Sequence, residues 1–400
     1  MSSIIDILNM SKCCGCGACI NVCPQKALTY SNDKYGFTIP AINLTLCIDC
    51  GKCLRICPET ESEEYKPRLA YAAMNKNEKE RLKASSGGIF GLVAKYVIQS
   101  SGVVYGAKMD HDFKVLHSSA DNDVALNDLL RSKYVQSFMG ETYSHILNDL
   151  KSGKKVLFSG TPCQVAAIRK MIPLKFKDNL FLIDIVCHGV PSQRFFDSYL
   201  EYLSDQEGKV NFYQFRAKRT VNNGMNCFFS YGTETGHKRI KNWPEDTFNY
   251  LYMKSYIYRD SCYQCKFAKE NRPGDITLCD YWSWTEYHNE FPAGSTVSAI
   301  LINTDKGNTL FEAVKDDLYV VETKIDDIKR HNGCLVQPSE KPQIRDQLLD
   351  NWLKNGFEPL DINYKSKNKK LILKYKIMRT IPAGIMSQLV SVRKRFGRRR

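Results

Sequence analysis

Two cysteine runs of identical spacing stand within the first 60 residues. Cys13, Cys16, Cys19 and Cys23 follow C-x2-C-x2-C-x3-C and are closed by Pro24. Cys47, Cys50, Cys53 and Cys57 repeat the run and are closed by Pro58. Each cysteine of the second run lies 34 residues after its counterpart, so the segment is an internal duplication. Thiolates are the soft ligands that iron–sulfur clusters take, and three on one tight loop can grip one face of a cubane. In the two-cluster form of this pattern the fourth cysteine of each run serves the other cluster. Cys13, Cys16, Cys19 and Cys57 are therefore assigned to one 4Fe–4S cluster, and Cys47, Cys50, Cys53 and Cys23 to a second. Paired zinc sites use C-x2-C units separated by a longer loop, a poorer match. Cys14 fits no ligand slot and reads as a spare thiol. Residues 27–30 and 35–39 are short β-type stretches around the turn Ser31-Asn32-Asp33, which predicts an α+β ferredoxin-like module. Such a module carries electrons singly, as a relay.

Nine of the sixteen cysteines lie between positions 13 and 57, so they serve something local. Over 400 residues sixteen is too few for a disulfide scaffold, which runs at ~8–10% cysteine. The apolar and charged fractions, 43% and 25%, are those of an ordinary soluble protein, and the length predicts two to four units. No stretch reaches the ~18 consecutive apolar residues of a membrane span. The start, Met1-Ser-Ser-Ile-Ile-Asp, lacks a basic segment followed by an apolar run. A cytoplasmic location is expected, where thiols stay reduced and clustered cysteines indicate metal.

After Pro58 the acidic stretch 59–64 reads as a linker. The pattern then alternates strand and helix: strands at 71–74, 103–107, 155–159, 180–186 and 297–303, helices at 89–97, 164–171 and 193–203. That alternation predicts an α/β body whose ligands gather beyond the carboxyl ends of the strands. Cys163 and Cys187 stand at two such ends, and Cys262 and Cys265 form a C-x2-C loop. Four thiols could close a third site; the lone C-x2-C equally suits zinc or a dithiol. Cys227, Cys279 and Cys334 read as small buried hydrophobes. Ser85-Ser86-Gly87-Gly88 at a helix start offers backbone N–H groups to a phosphate, or is simply a cap. Arg131-Ser132-Lys133-Tyr134 could hold an anionic cofactor or be a solvated loop.

Taken together, Ser86-Gly87-Gly88, Arg131-Ser132-Lys133-Tyr134, Gly160-Thr161-Pro162-Cys163-Gln164, Cys187-His188-Gly189, and Cys262-x2-Cys265 with Gly274-Asp275-Ile276 resemble the coenzyme F-420 hydrogenase/dehydrogenase beta-subunit family over about residues 1–335. The resemblance implies an FAD-binding α/β body with its own 4Fe–4S cluster. Carried over by position, Cys163, Cys187, Cys262 and Cys265 become ligands of a third cluster. Ser86, Gly87, Gly88, Lys133, Thr161 and Asp275 become flavin contacts. It also implies a redox donor or acceptor protein and a small-molecule two-electron substrate. That substrate is coenzyme F-420 in the relatives that give the family its name, whereas others resemble proteins of surface-polysaccharide gene clusters. No motif here can be tied to deazaflavin binding. His188, beside Cys187, is a proton-donor candidate or a hydrogen-bond partner of the cluster.

The expected units are 1–62 (two-cluster module), 63–165 and 166–340 (the two regions of the body) and 341–400 (a basic amphipathic tail). The formal charge of +14 resides in that tail: from Asp361 onward stand 13 Lys+Arg against one acid, leaving 44 basic and 42 acidic residues before it. A nearly neutral body gives no reason to expect nucleic acid. Leu371, Ile372, Leu373, Ile377, Met378, Ile385, Met386, Leu389 and Val390 alternate with cations up to Arg398-Arg399-Arg400. Such a segment could touch an anionic cytoplasmic membrane face, dock a partner, or stay solvated.

Overall fold

Gly17 and Gly51, equivalent positions of the two cysteine runs, both adopt the left-handed backbone (φ 75° and 67°) and both open a five-residue helix, Ala18–Val22 and Lys52–Ile56. Only glycine takes that conformation without penalty. Each helix ends at the fourth cysteine of its run. The N–H of Cys23 donates to the Ile20 carbonyl (3.3 Å) and that of Cys57 to the Leu54 carbonyl (3.2 Å). The duplication in the sequence is thus a duplication of backbone geometry. Between the helices, β1 (Leu28–Asn32) and β2 (Thr38–Ile42) form an antiparallel pair. β2 starts later than the sequence suggests, because the Asp33 carboxylate accepts the N–H groups of Tyr35 and Phe37, both at 2.9 Å, and holds residues 33–37 in the turn.

The computed structural model describes residues 10–218, 228–292 and 294–380. Its body is built on β3 (Leu69–Asn75), β4 (Val103–Met109), β5 (Val115–Ala120), β6 (Val156–Gly160) and β7 (Leu180–Ile185). A small antiparallel sheet follows, made of β8 (Val210–Ala217), β9 (Phe228–Thr233) and β10 (Lys238–Asn242), and then β11 (Ile276–Asp280), β12 (Ser298–Ile302) and β13 (Leu318–Glu322) complete the large sheet. The large sheet has the order β13-β3-β12-β11-β7-β6-β4-β5. β11, β7, β6 and β4 are parallel neighbours. β12 runs antiparallel to both β11 and β3, so β3 points the same way as the parallel set. Five strands therefore deliver their carboxyl ends to one edge. Val156, Leu157 and Phe158 are fully buried, the continuous apolar run of a strand covered on both faces.

His117 on β5 is buried and stacked on Phe158. Its Nε2 faces the Ser159 carbonyl (3.1 Å) and its Nδ1 the Ser137 hydroxyl (2.7 Å), so Nε2 carries the proton and Nδ1 accepts. Burial brings its pKa down to about 4. The unfolded chain binds a proton near pH 6.5 that the folded chain refuses, so this histidine's contribution is complete above pH 6.5 and is lost as pH falls towards 4. Urea titrations between those values are expected to show a loss of up to about 3 kcal/mol, absent in His117→Gln.

Residues 341–367, expected as part of a basic tail, are folded into the body. Helices Arg345–Asn355 and Glu358–Lys367 bury Leu349, Trp352, Leu360 and Tyr364. Leu349, Trp352, Leu360 and Phe357 join an aromatic core with Phe195, Tyr199, Tyr213 and Phe248, from the helix Gln193–Glu207, β8 and the helix Thr247–Met253, and Tyr364 packs on Tyr250 (ring centroids 4.4 Å). Side chains of this size contribute roughly 1.5–3 kcal/mol each when fully buried. Asp361, the one acid of the basic stretch, is buried and accepts the hydroxyls of Tyr202 (2.7 Å) and Thr247 (2.6 Å). The helix Lys369–Thr380 leaves Leu373 and Ile377 exposed and ties down through Arg379, which donates to the Ile240 carbonyl (2.7 Å) and pairs with Glu245 (3.0 Å). Cys227 and the remaining tail, including Ile385, Met386, Leu389, Val390 and Arg398 to Arg400, lie outside the described residues. Among the described residues no helix is long and apolar enough to cross a membrane.

Candidate functional site

Cys13, Cys16, Cys19 and Cys57 line a single recess of about 480 Å³, including its open mouth, together with Tyr30, Thr38 and Pro58. This is the tetrad assigned from the spacing, three thiols from one run and the fourth from the other. The recess is held against the body by its backbone. Arg259 donates through Nη1 to the Cys13 carbonyl (3.1 Å) and through Nη2 to the Thr38 carbonyl (2.7 Å). Gln136 Nε2 donates to the Cys14 carbonyl (3.0 Å), and the Tyr143 hydroxyl to the Cys16 carbonyl (2.8 Å). Gly15, at φ 67°, lets this clamp close: a Cβ there would stand 2.6 Å from both Arg259 and Gln136.

A second recess, about 690 Å³ with its mouth, lies beside the first at the carboxyl edge of the large sheet. Cys163, Cys187, Cys262 and Cys265 all line it. Thr161 caps the helix Pro162–Met171 just past β6, with its N–H donating to Gln164 Oε1 at 3.1 Å, and this fixes Cys163 in the first turn. Cys187 follows β7. The loop carrying Cys262 and Cys265 is tied to β7 by Arg272, whose guanidinium donates to Asp184 Oδ1 at 2.7 and 3.1 Å and to the Ile185 carbonyl at 3.0 Å. Gly274 N–H donates to the other oxygen of Asp184 at 2.8 Å. The acidic stretch after Pro58 is laid along the same loop. Tyr65 and Arg272 exchange backbone hydrogen bonds of 2.8 Å, Glu64 pairs with Lys269 (2.8 Å) and Glu63 with Lys177 (3.2 Å).

Burial pushes the Cys262 and Cys265 thiols up to about 12, and Cys163 and Cys187 also rise well above their ordinary value, Cys163 chiefly through its contact with Cys14 and Cys187 through burial. Four thiols held this way ionise only when a cation compensates them, and metal binding then releases their protons. Among the described residues no three His, Cys, Asp or Glu side chains converge as a single-ion site requires. The thiols instead stand around a space. In each recess the donor set, four thiols, is of the kind an iron–sulfur cluster takes.

Cys23, Cys47, Cys50 and Cys53 belong to the outer end of the module. Cys50 is exposed and the other three are half-buried. Leu44, Leu46 and Ile48, 72%, 48% and 60% exposed, flank them. Lys26, Lys52 and Arg55 are exposed around the same end.

The structure brings residues 85–88 and 131–133 together: the Ser132 N–H donates to Ser85 Oγ at 2.8 Å. Gly87 N–H donates to Ser298 Oγ (2.9 Å), and the Ser86 carbonyl accepts from Thr296 Oγ (3.2 Å) and from the Lys218 ammonium. Gly88 opens the helix Ile89–Gln99. Lys133 turns its ammonium to the Asp128 and Leu130 carbonyls (2.9 and 2.7 Å), and burial lowers its pKa to about 7. Asp275 is placed apart from this loop. Buried before β11, its carboxylate accepts from Arg169 (3.0 Å), the Leu182 N–H (2.8 Å) and Thr304 Oγ1 (3.0 Å), which makes it a tie between strands. His188 lines the second recess, and its Nδ1 stands 3.6 Å from the Cys334 thiol. That contact raises the imidazole pKa; the thiol, pushed up by burial, is brought below its ordinary value by the same partner.

Two family models match this chain. One, 4Fe-4S dicluster domain, spans residues 12–60, the segment that carries both cysteine runs. The other describes the C terminus of the coenzyme F-420 hydrogenase/dehydrogenase beta subunit. It spans residues 153–328, the segment that carries Cys163, Cys187, Cys262 and Cys265. Over that segment the chain is similar to the coenzyme F-420 hydrogenase/dehydrogenase beta subunit. No curated protein matches it. Among solved structures it is similar to a chain of the F-420-reducing nickel–iron hydrogenase complex from Methanosarcina barkeri, at 19% identity and a TM-score of 0.45, covering 78% of this chain and 94% of that one. With a two-cluster module in front of a segment similar to that beta subunit, the chain is an iron–sulfur protein of the oxidoreductase type.

Two residues escaped the sequence reading. Arg216 and Lys218, at the end of β8, reach into the loop at 85–88. Arg216 pairs with Asp280 (2.8 Å) and donates to the Ser85 carbonyl (3.2 Å) and the Tyr134 hydroxyl (3.2 Å). Lys218 donates to the Arg81 carbonyl (2.7 Å), and burial, with Arg216 beside it, lowers its pKa to about 7. The alternation Phe215-Arg216-Ala217-Lys218 was the available signal, with cations at every second position of a strand.

Proposed function

We propose that the chain is a flavin- and iron–sulfur-dependent oxidoreductase that takes electrons singly at its outer end and delivers them in pairs to an organic acceptor. The observation that carries this reading is the order of the sites. An exposed thiol set leads to a recess with the Cys13, Cys16, Cys19 and Cys57 tetrad, next to a recess with four body thiols at the edge where five strands end. In this reading Cys163, Cys187, Cys262 and Cys265 hold a third 4Fe–4S cluster. Apolar side chains ringed by Lys26, Lys52 and Arg55 suit an acidic redox protein as the exchange partner at the outer end.

FAD is the natural junction between one-electron relays and a two-electron substrate. The loop at 85–88 supports its placement. Lys218 and Arg216 face that loop, Thr161 stands at the carboxyl end of β6 on the same edge of the sheet, and a lysine depressed by burial with Arg216 beside it favours a phosphate group. In this role Ser86, Gly87, Gly88 and Thr161 would hold the flavin beside the body cluster, with Lys133 free to turn from its carbonyl partners. Asp275 would support the sheet beneath. In this reading His188, which lines the body recess beside Cys334, would supply the substrate proton or a hydrogen bond to the cluster.

Anaerobic purification with flavin, iron and sulfide assays tests the reading. About one FAD and iron near three cubanes, roughly twelve atoms, are expected per chain. Absence of flavin after reconstitution would sink it. A second reading, a non-catalytic relay subunit of a redox complex, draws on the exposed, apolar outer end. It expects reduction by a low-potential donor without turnover of any small molecule. Offering the reduced protein F-420 and activated sugars separates the two.

A further inference from the structure

The two recesses share a wall made of Cys14 and Glu59, which line both. Cys14 has no slot in the ligand run, yet it stands where the recess that holds Cys16 meets the recess that holds Cys163. The residue's backbone is fixed to the body through Gln136, so the thiol has a defined station between the two ligand sets. We propose that Cys14 is the positioning residue through which an electron crosses from the N-terminal tetrad to the body tetrad. The proposal rests on reading Cys163, Cys187, Cys262 and Cys265 as ligands of a third cluster.

A thiol suits this station because its sulfur is polarizable and its S–H is a weak donor. With clusters bound, Cys16 and Cys163 are thiolates, and a single S–H can donate to only one of them at a time. Donation stabilises the more negative, reduced state of the cluster it reaches. From the shared wall, donation toward the body set would favour the electron there, and donation toward the N-terminal set would hold it back. One electron leaves one site and enters the other, supplied by a low-potential one-electron donor at the outer end; no bond forms or breaks, and the thiol keeps its proton.

The test uses the full chain, reconstituted anaerobically, as Cys14→Ala and Cys14→Ser. Iron per chain, potentiometric titration followed by electron paramagnetic resonance, and the rate of internal equilibration after mixing with dithionite are read. Both variants are expected to keep the iron of the parent. In Cys14→Ala the reduction equilibrium of the affected site should shift by about tenfold, about 59 mV for one electron, the magnetic coupling between the two reduced sites should change, and internal equilibration should slow by a similar factor. Cys14→Ser, which keeps a donor, should recover most of each. Parental potentials, coupling and rate in Cys14→Ala, with three clusters present, overturn the proposal alone. Loss of one cluster's iron in Cys14→Ala makes Cys14 a ligand and overturns it too. A parent chain with only two clusters overturns the reading on which it rests.

Discussion

Arg272→Ala is expected to lower the unfolding free energy by about 3–5 kcal/mol, the cost of leaving one member of a buried ion pair uncompensated. Arg272 and Asp184 are 1% and 0% exposed along their side chains, and no solvent can replace the guanidinium. The charge left behind would keep the Gly274 N–H as a partner and lose both bonds from Arg272. Against a typical 5–15 kcal/mol for a whole domain, that is a severe loss. Arg272→Lys is expected to recover little, because an ammonium cannot span Asp184 and the carbonyls of Phe267 and Ile185 at once. Arg272→Ala with Asp184→Asn should recover part of the loss, since the unpaired charge is then gone. Urea unfolding of the three variants, followed by circular dichroism, reads these differences. A change under about 1 kcal/mol for Arg272→Ala would mean that the pair behaves as a surface bridge.

Cys262→Ala is expected to remove about one third of the iron, roughly four atoms per chain, while leaving the two N-terminal clusters in place. The separation is geometric: Cys262 lines only the body recess, whereas the first tetrad occupies its own. Three remaining thiols with high pKa values hold a cubane poorly, so the loss should be complete, not graded. Iron and sulfide analysis with the resonance spectrum of the reduced protein measures it. Unchanged iron would show that these thiols have been assigned to the wrong centre.

The N-terminal module was legible because its chemistry is local. Ligand identity, spacing and the 34-residue repeat all sit on one short segment, and the paired left-handed glycines follow from them. The body tetrad is of another kind. Cys163, Cys187 and the pair at 262 and 265 come from separate parts of the chain, and only the adjacency of β6, β7 and β11 gathers them; spacing alone left zinc and dithiol readings open. Residues 341–367 were joined to the basic tail although their own charges nearly balance, five cations against four acids. Trp352 and Tyr364 lie among Lys and Asn, and only the helical fold gathers them with Leu349, Phe357 and Leu360 on the buried side. Asp275 misled in the opposite direction. Its motif position suggests a cofactor, whereas the fold surrounds it with Arg169, Thr304 and a backbone N–H. Cys14 read only as a spare thiol, because nothing in the spacing shows that two recesses meet on it.

The two halves of the duplicated module share a backbone but not a neighbourhood. One half is clamped under Arg259, Gln136 and Tyr143, and the other leaves Cys50 open to solvent. Thiolate sulfur that a partner can approach is sulfur that dioxygen can approach. Damage in air is therefore expected to begin at the outer end and work inward, so that an ageing sample loses its open sulfurs first while the clamped half is intact. Symmetry in the sequence has become a fixed order of wear.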